Sequence, residues 1–254
     1  MIQKKISLNS DARVVLVSDL HIGLKCCRFD ILDDIIEELK KPNTFWIGLG
    51  DFIEGREPSH KFYDPNEVTM TVGEQYELFF KMFRPFADTC LGMVHGNHES
   101  SLIMKSTINP LQMFCTENRI TYGGTTIRLI FENRGSSISL IANHGAGGGS
   151  KVGSSLNKAV DYGKTFNADI VTLGHYHRLA HTEEVKSFED EEGKIHWRPM
   201  TVILNGCIVE GYQEDGFGSY VERKMLPPCA LGYAVLDIKC DDKGMSKTVE
   251  LKSY

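Results

Sequence analysis

The chain has 254 residues, of which 41% are hydrophobic and 24% charged, so it can bury a sizeable core as an ordinary globular protein. The formal net charge of −6 argues against a protein that mainly coats long nucleic acid, because such binding uses clustered lysine and arginine. The seven cysteines form no Cys-x-x-Cys pair, and no stretch approaches the roughly 18 apolar residues of a membrane span. We therefore expect a reduced, cytoplasmic protein.

Short apolar, β-branched runs alternate along the chain with stretches of helical periodicity. The runs that predict strands are Arg13–Val17, Thr44–Leu49, Gly92–Val94, Ile138–Ala142, Ile170–Leu173, Thr201–Leu204 and Tyr233–Ile238. The stretches that predict helices are Phe29–Lys40, Val72–Ala87, Pro110–Glu117 and Ser155–Phe166. This alternation predicts an α/β fold, and the later strands, which lack intervening helices, predict a mixed sheet system. With no repeat and no linker, residues 1–254 are expected to form a single domain.

Two stretches interrupt this alternation. Glu54–Thr71 is polar, contains two prolines and predicts a long loop of the kind that often covers an active site. Within it, Phe62 and Tyr63 offer rings on which a base could stack. Glu183–Arg198 is acidic and predicts an exposed hairpin or loop.

Residue types that bind metals stand just after five of the predicted strands. The five blocks are Asp19-Leu-His21, Gly50-Asp51, Gly96-Asn97-His98-Glu99, Asn143-His144-Gly145 and Gly174-His175-Tyr176-His177. The carboxyl ends of strands in open α/β sheets converge on one crevice, so these loops can build one site. Each block alone is a common turn sequence, whereas all five in order predict a metal centre. Imidazole together with carboxylate suits Mn, Fe, Zn or Ni better than Mg or Ca.

This set of blocks resembles the calcineurin-like metallophosphoesterase superfamily, whose signature reads D-x-H, G-D, G-N-H-[DE], a His-Gly block and G-H-x-H. Every block is present between Asp19 and His177. The resemblance implies a two-sheet mixed β-sandwich flanked by helices, which is a four-layer fold. The chain is similar to the short members without a capping domain that bacteriophages and prophages often carry. That likeness rests on the His144-Gly-Ala-Gly-Gly-Gly loop and on Gly218-Ser-Tyr-Val-Glu-Arg223.

The resemblance also implies that the protein binds two divalent metal ions, with Mn²⁺ favoured and Fe, Zn or Ni as alternatives. The implied ligands are Asp19, His21 and His177 for the first ion, Asn97, His144 and His175 for the second, and Asp51 as the bridge between them. Two ions about 3.5–4 Å apart can share a hydroxide, lower its pKa and hold the oxygens of an in-line displacement. The expected activity is hydrolysis of a phosphate ester by a metal-bound hydroxide.

His98 is not a ligand in the family pattern, although it follows Asn97 directly. The resemblance implies that it faces the substrate and either protonates the leaving oxygen or stabilises the phosphate charge, which imidazole can do at neutral pH. The alternative is a histidine that only caps the next helix. Glu54 stands three residues after Asp51, where phosphoprotein phosphatases have an Asp that orients this histidine. Glu54 is therefore expected to have that catalytic role or to be a surface residue.

Two arginines of the phosphoprotein phosphatases, in G-D-x-x-D-R-G and R-G-N-H-E, are not matched here. Arg56 is displaced by one position, and His95 replaces the other arginine. Arginine binds a phosphomonoester dianion through a planar fork, so these differences argue against a protein phosphatase and favour a diester, which carries less charge. Arg56 is still a candidate for substrate binding, as are Asn97 and Lys151. Lys151 lies in the glycine-rich stretch Gly145–Lys158, which lacks the Gly-Lys-Ser/Thr of a P-loop.

The leading prediction is a phosphodiesterase for nucleotides or short nucleic acid. One alternative is a DNA exonuclease or endonuclease of the repair type, which shares Asp-Leu-His and Gly-Asn-His but usually carries a capping domain. Others are a phosphomonoesterase of small metabolites and a non-catalytic scaffold with the same fold. Scaffolds commonly lose ligands, and none is lost here. The sequence indicates a phosphoester substrate and no membrane partner, and it carries no signal for an oligomeric state.

Overall fold

The computed structural model describes residues 1–148, 151–213, 219–242 and 244–254, and it contains two sheets and six α-helices within them. The strands are β1 (Ile2–Ser7), β2 (Ala12–Val17), β3 (Thr44–Gly48), β4 (Cys90–Met93), β5 (Thr126–Asn133), β6 (Ser136–Asn143), β7 (Ile170–Leu173), β8 (Leu179–Glu189), β9 (Ile195–Asn205), β10 (Gly232–Asp241) and β11 (Gly244–Ser253). The helices are α1 (Phe29–Leu39), α2 (Val72–Phe83), α3 (Asn97–Ser106), α4 (Pro110–Glu117), α5 (Val152–Thr165) and α6 (Tyr220–Arg223). Gly149 and Gly218, which belong to the segments that resemble phage enzymes, lie outside the described residues.

Both sheets are mixed, as predicted. The six-stranded sheet has the order β1-β5-β6-β7-β9-β8, and the five-stranded sheet has the order β11-β10-β2-β3-β4. The strands β2, β3 and β4 run parallel in one sheet, and β6, β7 and β9 run parallel in the other. Parallel neighbours need a crossover connection, and α1, α2 and α5 lie in such connections.

Alternate side chains of β2 show how the layers are built, because successive residues of a strand face opposite sides of its sheet. Val14 and Leu16 point between the two sheets, where they share an apolar layer with Leu129 of β5. Val15 and Val17 point to the outer face, into a second layer with α1, α2 and α4. A third layer joins α5 to the outer face of the six-stranded sheet. The resulting helix–sheet–sheet–helix order confirms the expected four-layer fold.

Several elements differ in extent from the prediction. The helix predicted to reach Ala87 ends at Phe83, and a 3-10 helix follows it with Pro85 near its start, since proline cannot donate the next helical hydrogen bond. The acidic stretch predicted as a hairpin or loop is a hairpin, formed by β8 and β9 with eleven residues each. The helix predicted from Ser155 begins at Val152, which shortens the glycine-rich loop.

The loop after β3 is irregular, as predicted: residues 54–71 contain turns and one isolated bridge, with no helix or regular strand. This loop connects the end of β3 to the start of α2. Among the described residues, no helix is long and apolar enough to cross a membrane.

Candidate active site

Loops that follow β2, β3, β4, β6 and β7 meet at one end of the sandwich and carry the predicted ligands. Asp19 and His21 follow β2, Asp51 follows β3, and Asn97 begins α3 after β4, so these four belong to the five-stranded sheet. The six-stranded sheet contributes the remaining ligands, His144, His175 and His177. The two sheets therefore complete the site together.

The first group of side chains consists of Asp19, His21 and His177, whose candidate ligand atoms all lie within 4.8 Å of one another. His177 Nε2 is 3.3 Å from Asp19 Oδ1 and 3.1 Å from His21 Nε2. His21 Nδ1 donates a hydrogen bond to the Glu54 carboxylate at 3.0 Å, so Nε2 of a neutral His21 ring presents its lone pair to this group. Lone pairs and a carboxylate that converge on one point fit a bound cation.

The second group consists of Asp51, His144 and His175, again with candidate ligand atoms within 4.8 Å of one another. Asn97 joins it, because its Oδ1 is 2.7 Å from His175 Nδ1 and 3.1 Å from His144 Nε2. His144 Nδ1 donates to the backbone carbonyl of Leu49 at 2.8 Å, which leaves Nε2 for the group. Burial opposes a charged imidazole, but nearby Asp51 outweighs it and raises the pKa of His144 to about 10. The carboxylates thus attract positive charge to this position.

Asp51 lies between the two groups. Its Oδ2 is 3.1 Å from His144 Nε2 in the second group and 3.9 Å from His21 Nε2 in the first. Its Oδ1 accepts the backbone N–H of His98 at 2.9 Å, which fixes the carboxylate plane. A single carboxylate that faces both groups has the geometry of a bridging ligand.

The backbone at the site is strained. Five of the seven candidate ligands have a positive φ: Asp19 (51°), His21 (46°), Asp51 (52°), His175 (68°) and His177 (51°). Left-handed backbone costs a residue other than glycine about 1–2 kcal/mol, and such positions cluster at functional sites where the surrounding structure holds them. The strain turns these side chains from the ends of their strands towards a common centre.

Two glycines of the sequence blocks make room for the carboxylates. A Cβ atom at Gly96 would lie 2.0 Å from Asp51 Oδ1, and one at Gly174 would lie 2.6 Å from Asp19 Oδ2. Both distances are far below van der Waals contact, so any other residue at either position would displace a candidate ligand.

Glu99 has a structural role that the sequence analysis did not assign. Its fully buried carboxylate accepts the backbone N–H groups of Asp51 at 2.9 Å, Phe52 at 2.8 Å and Gly96 at 2.8 Å. These bonds join the loop after β3 to the start of α3. Burial, followed by the charge of Asp51, raises the pKa of Glu99. A signal was present in the sequence, because a Glu three residues after an N-cap position is typical of a capping box.

The model of the calcineurin-like phosphoesterase family matches residues 12–179, which include all the candidate ligands. The chain belongs to this family. Among curated proteins, none matches the sequence.

The chain is similar to several solved structures at low sequence identity. Vacuolar Protein Sorting 29 from Cryptosporidium parvum is 13% identical, with a TM-score of 0.46, and the alignment covers 97% of this chain and 100% of that chain. A protein from Streptococcus pneumoniae described as a predicted phosphoesterase is 11% identical, with a TM-score of 0.40 and coverages of 96% and 100%.

His98 lies at the first turn of α3 in this calcineurin-like phosphoesterase, with its imidazole in the site. Its Nδ1 donates to the backbone carbonyl of Glu54, and its Nε2 is 4.0 Å from Asp51 Oδ2. His98 also forms a third close group with His21 and Asp51. Burial opposes the charged imidazole, but Asp51 and then Glu54 outweigh it, so the pKa of His98 is raised.

Glu54 is buried, with 1% of its surface exposed, so the surface alternative for this residue is wrong. Its Oε2 is 3.0 Å from His21 Nδ1 and 3.7 Å from His98 Nδ1. The carboxylate therefore orients the candidate ligand His21 directly, while the backbone carbonyl of Glu54 orients His98. Arg56 Nε lies 2.7 Å from the other carboxylate oxygen, so this arginine is held by Glu54.

The glycine-rich loop lies over the second group. His175 Nε2 donates to the carbonyl of Gly147 at 3.0 Å, and Tyr176 Oη donates to the carbonyl of Ala146 at 2.9 Å. Lys158 Nζ donates to the carbonyl of Gly148 at 2.7 Å. Lys151 is exposed at the N-cap of α5, and within the described part of the chain no contact joins it to the candidate ligands.

Proposed function

We propose that residues 1–254 form one metallophosphoesterase domain that hydrolyses phosphodiesters of nucleotides or short nucleic acid with two bound metal ions. The observation that carries this proposal is the position of Asp51 Oδ2 between His144 Nε2 and His21 Nε2, at 3.1 and 3.9 Å. A mononuclear site or a scaffold has no need of a carboxylate shared by two groups of imidazoles. Membership of the calcineurin-like phosphoesterase family supports a phosphoester hydrolase.

The donor atoms fit two divalent ions of the Mn²⁺, Fe, Zn or Ni kind, with Mn²⁺ our first choice. Asp19, His21 and His177 would hold one ion, and Asn97, His144 and His175 would hold the other, with Asp51 shared. Such ions supply a nucleophile of lowered pKa and neutralise the charge that develops on the phosphoryl oxygens.

His98 is the residue that we assign to the leaving group. In the reaction a water oxygen forms a bond to phosphorus, the ester bond breaks, and the leaving oxygen must gain a proton. His98 Nδ1–H is held by the carbonyl of Glu54, so Nε2–H points into the site and can deliver that proton. The Glu54 carboxylate accepts a hydrogen bond from His21 Nδ1 and so fixes the orientation of this neighbouring candidate ligand.

A preference for diesters over monoesters follows because the positive groups near the site are held by other residues. Arg56 is bound to Glu54 at 2.7 Å, which withdraws part of its charge from a substrate. At the other position that carries arginine in phosphoprotein phosphatases, His95 Nδ1 is hydrogen-bonded to Tyr122 Oη, which Asn109 contacts in turn at 2.8 Å. Neither position presents the bidentate fork that a monoester dianion requires.

All seven cysteines are free thiols, which supports our placement of the enzyme in the reducing cytoplasm.

A substrate panel with Mn²⁺ tests the proposal. It consists of a bis-aryl phosphodiester, an aryl phosphomonoester, cyclic nucleotides, and single- and double-stranded DNA. We expect the diester to be hydrolysed faster than the monoester, and all turnover to stop in excess chelator and return with Mn²⁺. Full activity after prolonged chelation would refute metal dependence, and faster monoester turnover would refute diester preference. DNA as the fastest substrate would favour the nuclease alternative.

A further inference from the structure

Two cysteine thiols face each other close to the loops that carry the first group of candidate ligands. Cys207 Sγ lies 4.0 Å from Cys229 Sγ, although the two residues are 22 positions apart in the chain. A disulfide bond is about 2.05 Å long, so the sulfurs need to approach each other by about 2 Å. Small rotations of the two side chains can supply that movement.

The backbones that carry the two thiols are also held together. The backbone N–H of Gly232, three residues after Cys229, donates to the carbonyl of Cys207 at 2.8 Å. A Cβ atom at Gly206 would lie 2.6 Å from the carbonyl oxygen of Gly232. A disulfide forms only where two backbones run this close to each other, so these contacts favour a bond between the sulfurs.

The two thiols differ in their access to solvent. Cys207 is fully buried, whereas Cys229 is half-buried between the exposed residues Pro228 and Ala230. Arg178 Nη1 donates to the carbonyl of Pro228 at 3.3 Å, which places a guanidinium beside this segment. A small oxidant therefore reaches Cys229 first, at a position where positive charge favours the reactive thiolate.

We propose that hydrogen peroxide converts Cys207 and Cys229 into a reversible disulfide, which makes the pair a modification site separate from the metal ligands. The Cys229 sulfur attacks one peroxide oxygen, the O–O bond breaks, and a sulfenic acid and one water are formed. The Cys207 sulfur then attacks the Cys229 sulfur, and the hydroxyl leaves with the Cys207 proton as a second water. The sulfurs lose two electrons to the peroxide, and a thiol reductant reverses the bond.

The segment around Cys207 also bonds to the loops of the first ligand group. The backbone N–H of Ile208 donates to the carbonyl of Asp19 at 3.4 Å, and that of Gly206 donates to the carbonyl of Arg178, the residue after His177, at 3.0 Å. Closing the disulfide shifts these contacts. Oxidised enzyme should therefore hydrolyse an aryl phosphodiester roughly 10–100-fold more slowly, the range for disturbed groups that orient ligands. This consequence rests on the proposed function, whereas the disulfide itself does not.

Peptide mapping of the native protein tests the disulfide directly. Full-length protein loaded with Zn²⁺, which has no redox chemistry of its own, is treated with peroxide, alkylated and digested with trypsin without reduction. The digest places Cys207 and Cys229 on separate peptides, 195–223 and 225–239, each with no other cysteine. We expect these two peptides to be joined, with the loss of two hydrogen atoms in mass and of two of the seven thiols. Dithiothreitol should restore both thiols and the rate of turnover.

Three variants test the order of the steps. Cys229→Ser should leave Cys207 as a thiol and make turnover insensitive to peroxide. Cys207→Ala should stop the reaction at a sulfenic acid on Cys229, which dimedone traps. Cys240→Ser is the matched control, because Cys240 is also a half-buried free thiol but lies on β10, and this variant should form the same joined peptides as the native protein.

The outcomes separate the disulfide from the proposed function. Unmodified Cys207 and Cys229 after peroxide treatment would overturn the inference, as would bonds from either residue to another cysteine. Joined peptides with unchanged turnover would overturn the effect on the site, while the disulfide and the proposed function both stand. If no phosphoester is cleaved before oxidation, the proposed function fails, and the peptide map still decides whether the disulfide forms.

Discussion

The interior of the sandwich and the site at its end are built from the same strands by opposite physical rules. In β2, Val14 and Leu16 have extended backbone and bury hydrocarbon between the sheets. Just beyond the strand, Asp19 has a left-handed backbone and a fully buried carboxylate. The interior gains stability by removing apolar surface from water, whereas the end of the strand holds strain and charge. Stability and chemistry should therefore respond to different substitutions.

The largest difference between the effect on chemistry and the effect on stability is expected for Asp51→Asn. The change removes the negative charge between the two ligand groups but leaves the apolar layers intact. We expect loss of at least one metal ion per chain and a fall in turnover beyond the roughly 100-fold typical of residues that only support ligands. Elemental analysis and turnover with an aryl diester measure both effects. Asp11→Asn, an exposed carboxylate paired with Lys239, is the control. Two retained ions with normal turnover would show that Asp51 is not the bridge.

The next largest effect is expected for His98→Ala, which separates chemistry from metal binding within the site. Both ions should remain, and turnover should fall roughly 10²–10⁴-fold, the usual span for a positioned acid. The loss should shrink for a nitrophenolate leaving group, which needs no proton, and stay large for a ribose leaving group. Lost metal with equal losses for all substrates would instead make His98 a ligand. Unchanged turnover would remove it from the mechanism.

Phe131→Ala tests the interior. Phe131 is fully buried between the two sheets, so its truncation should lower the free energy of unfolding by about 3–5 kcal/mol. The folded protein should still bind its ions with native kcat. Denaturant titration gives the first quantity, and kcat per folded molecule gives the second. Val185→Ala, at an exposed position of β8, should change stability by only about 0.5 kcal/mol. A large fall in kcat for Phe131→Ala would contradict the separation.

The smallest effect concerns Glu38, a buried carboxylate of α1 that pairs with Arg13 near the start of β2. Burial raises the pKa of Glu38, but hydrogen bonds from Lys41 and Arg13 outweigh it, so the pKa is lowered overall. A lowered folded-state pKa contributes stability above the ordinary pKa of about 4.3, and that stability is lost as the pH falls through the folded value. Glu38→Gln should cost about 1.5 kcal/mol at pH 7. The difference from the native protein should shrink below about pH 4.3, and a constant difference down to pH 2 would be contrary evidence.

The candidate ligands could be predicted from the sequence because metal-binding residue types stand at the ends of the strands. The α/β class could be predicted from the periodicity of the apolar residues. Helix α3 was not predicted because Glu99 is its buried residue, so no apolar stripe marks it. Strand β11 was missed because most of its residues are half-exposed or exposed on both faces. By contrast, β5 has the alternating burial of a half-buried strand, with Ile127 and Leu129 inward, and this alternation is a strand signal that the sequence does contain.

No pattern in the sequence predicts that the Glu54 carboxylate pairs with His21. Its carboxylate contacts His21, whose backbone is left-handed with a φ of 46°. Sequence spacing gives no access to such strain, since it is imposed by contacts between loops that are distant in the chain. The same holds for Arg56, whose ion pair with Glu54 depends on the path of an irregular loop.

Because each sheet supplies only part of the candidate ligand set, the order of folding would govern when the protein could bind the proposed ions. Asp19 contacts the backbone of His175, 156 positions away in the chain. Contacts of such long range form late, since a large loop must close before they contribute. Neither sheet alone holds the complete set of candidate ligands, so the proposed ions would bind tightly only to chains whose sandwich has closed, and by mass action they would stabilise that state alone. Under the proposed function, an incompletely assembled chain would therefore stay both inactive and metal-free.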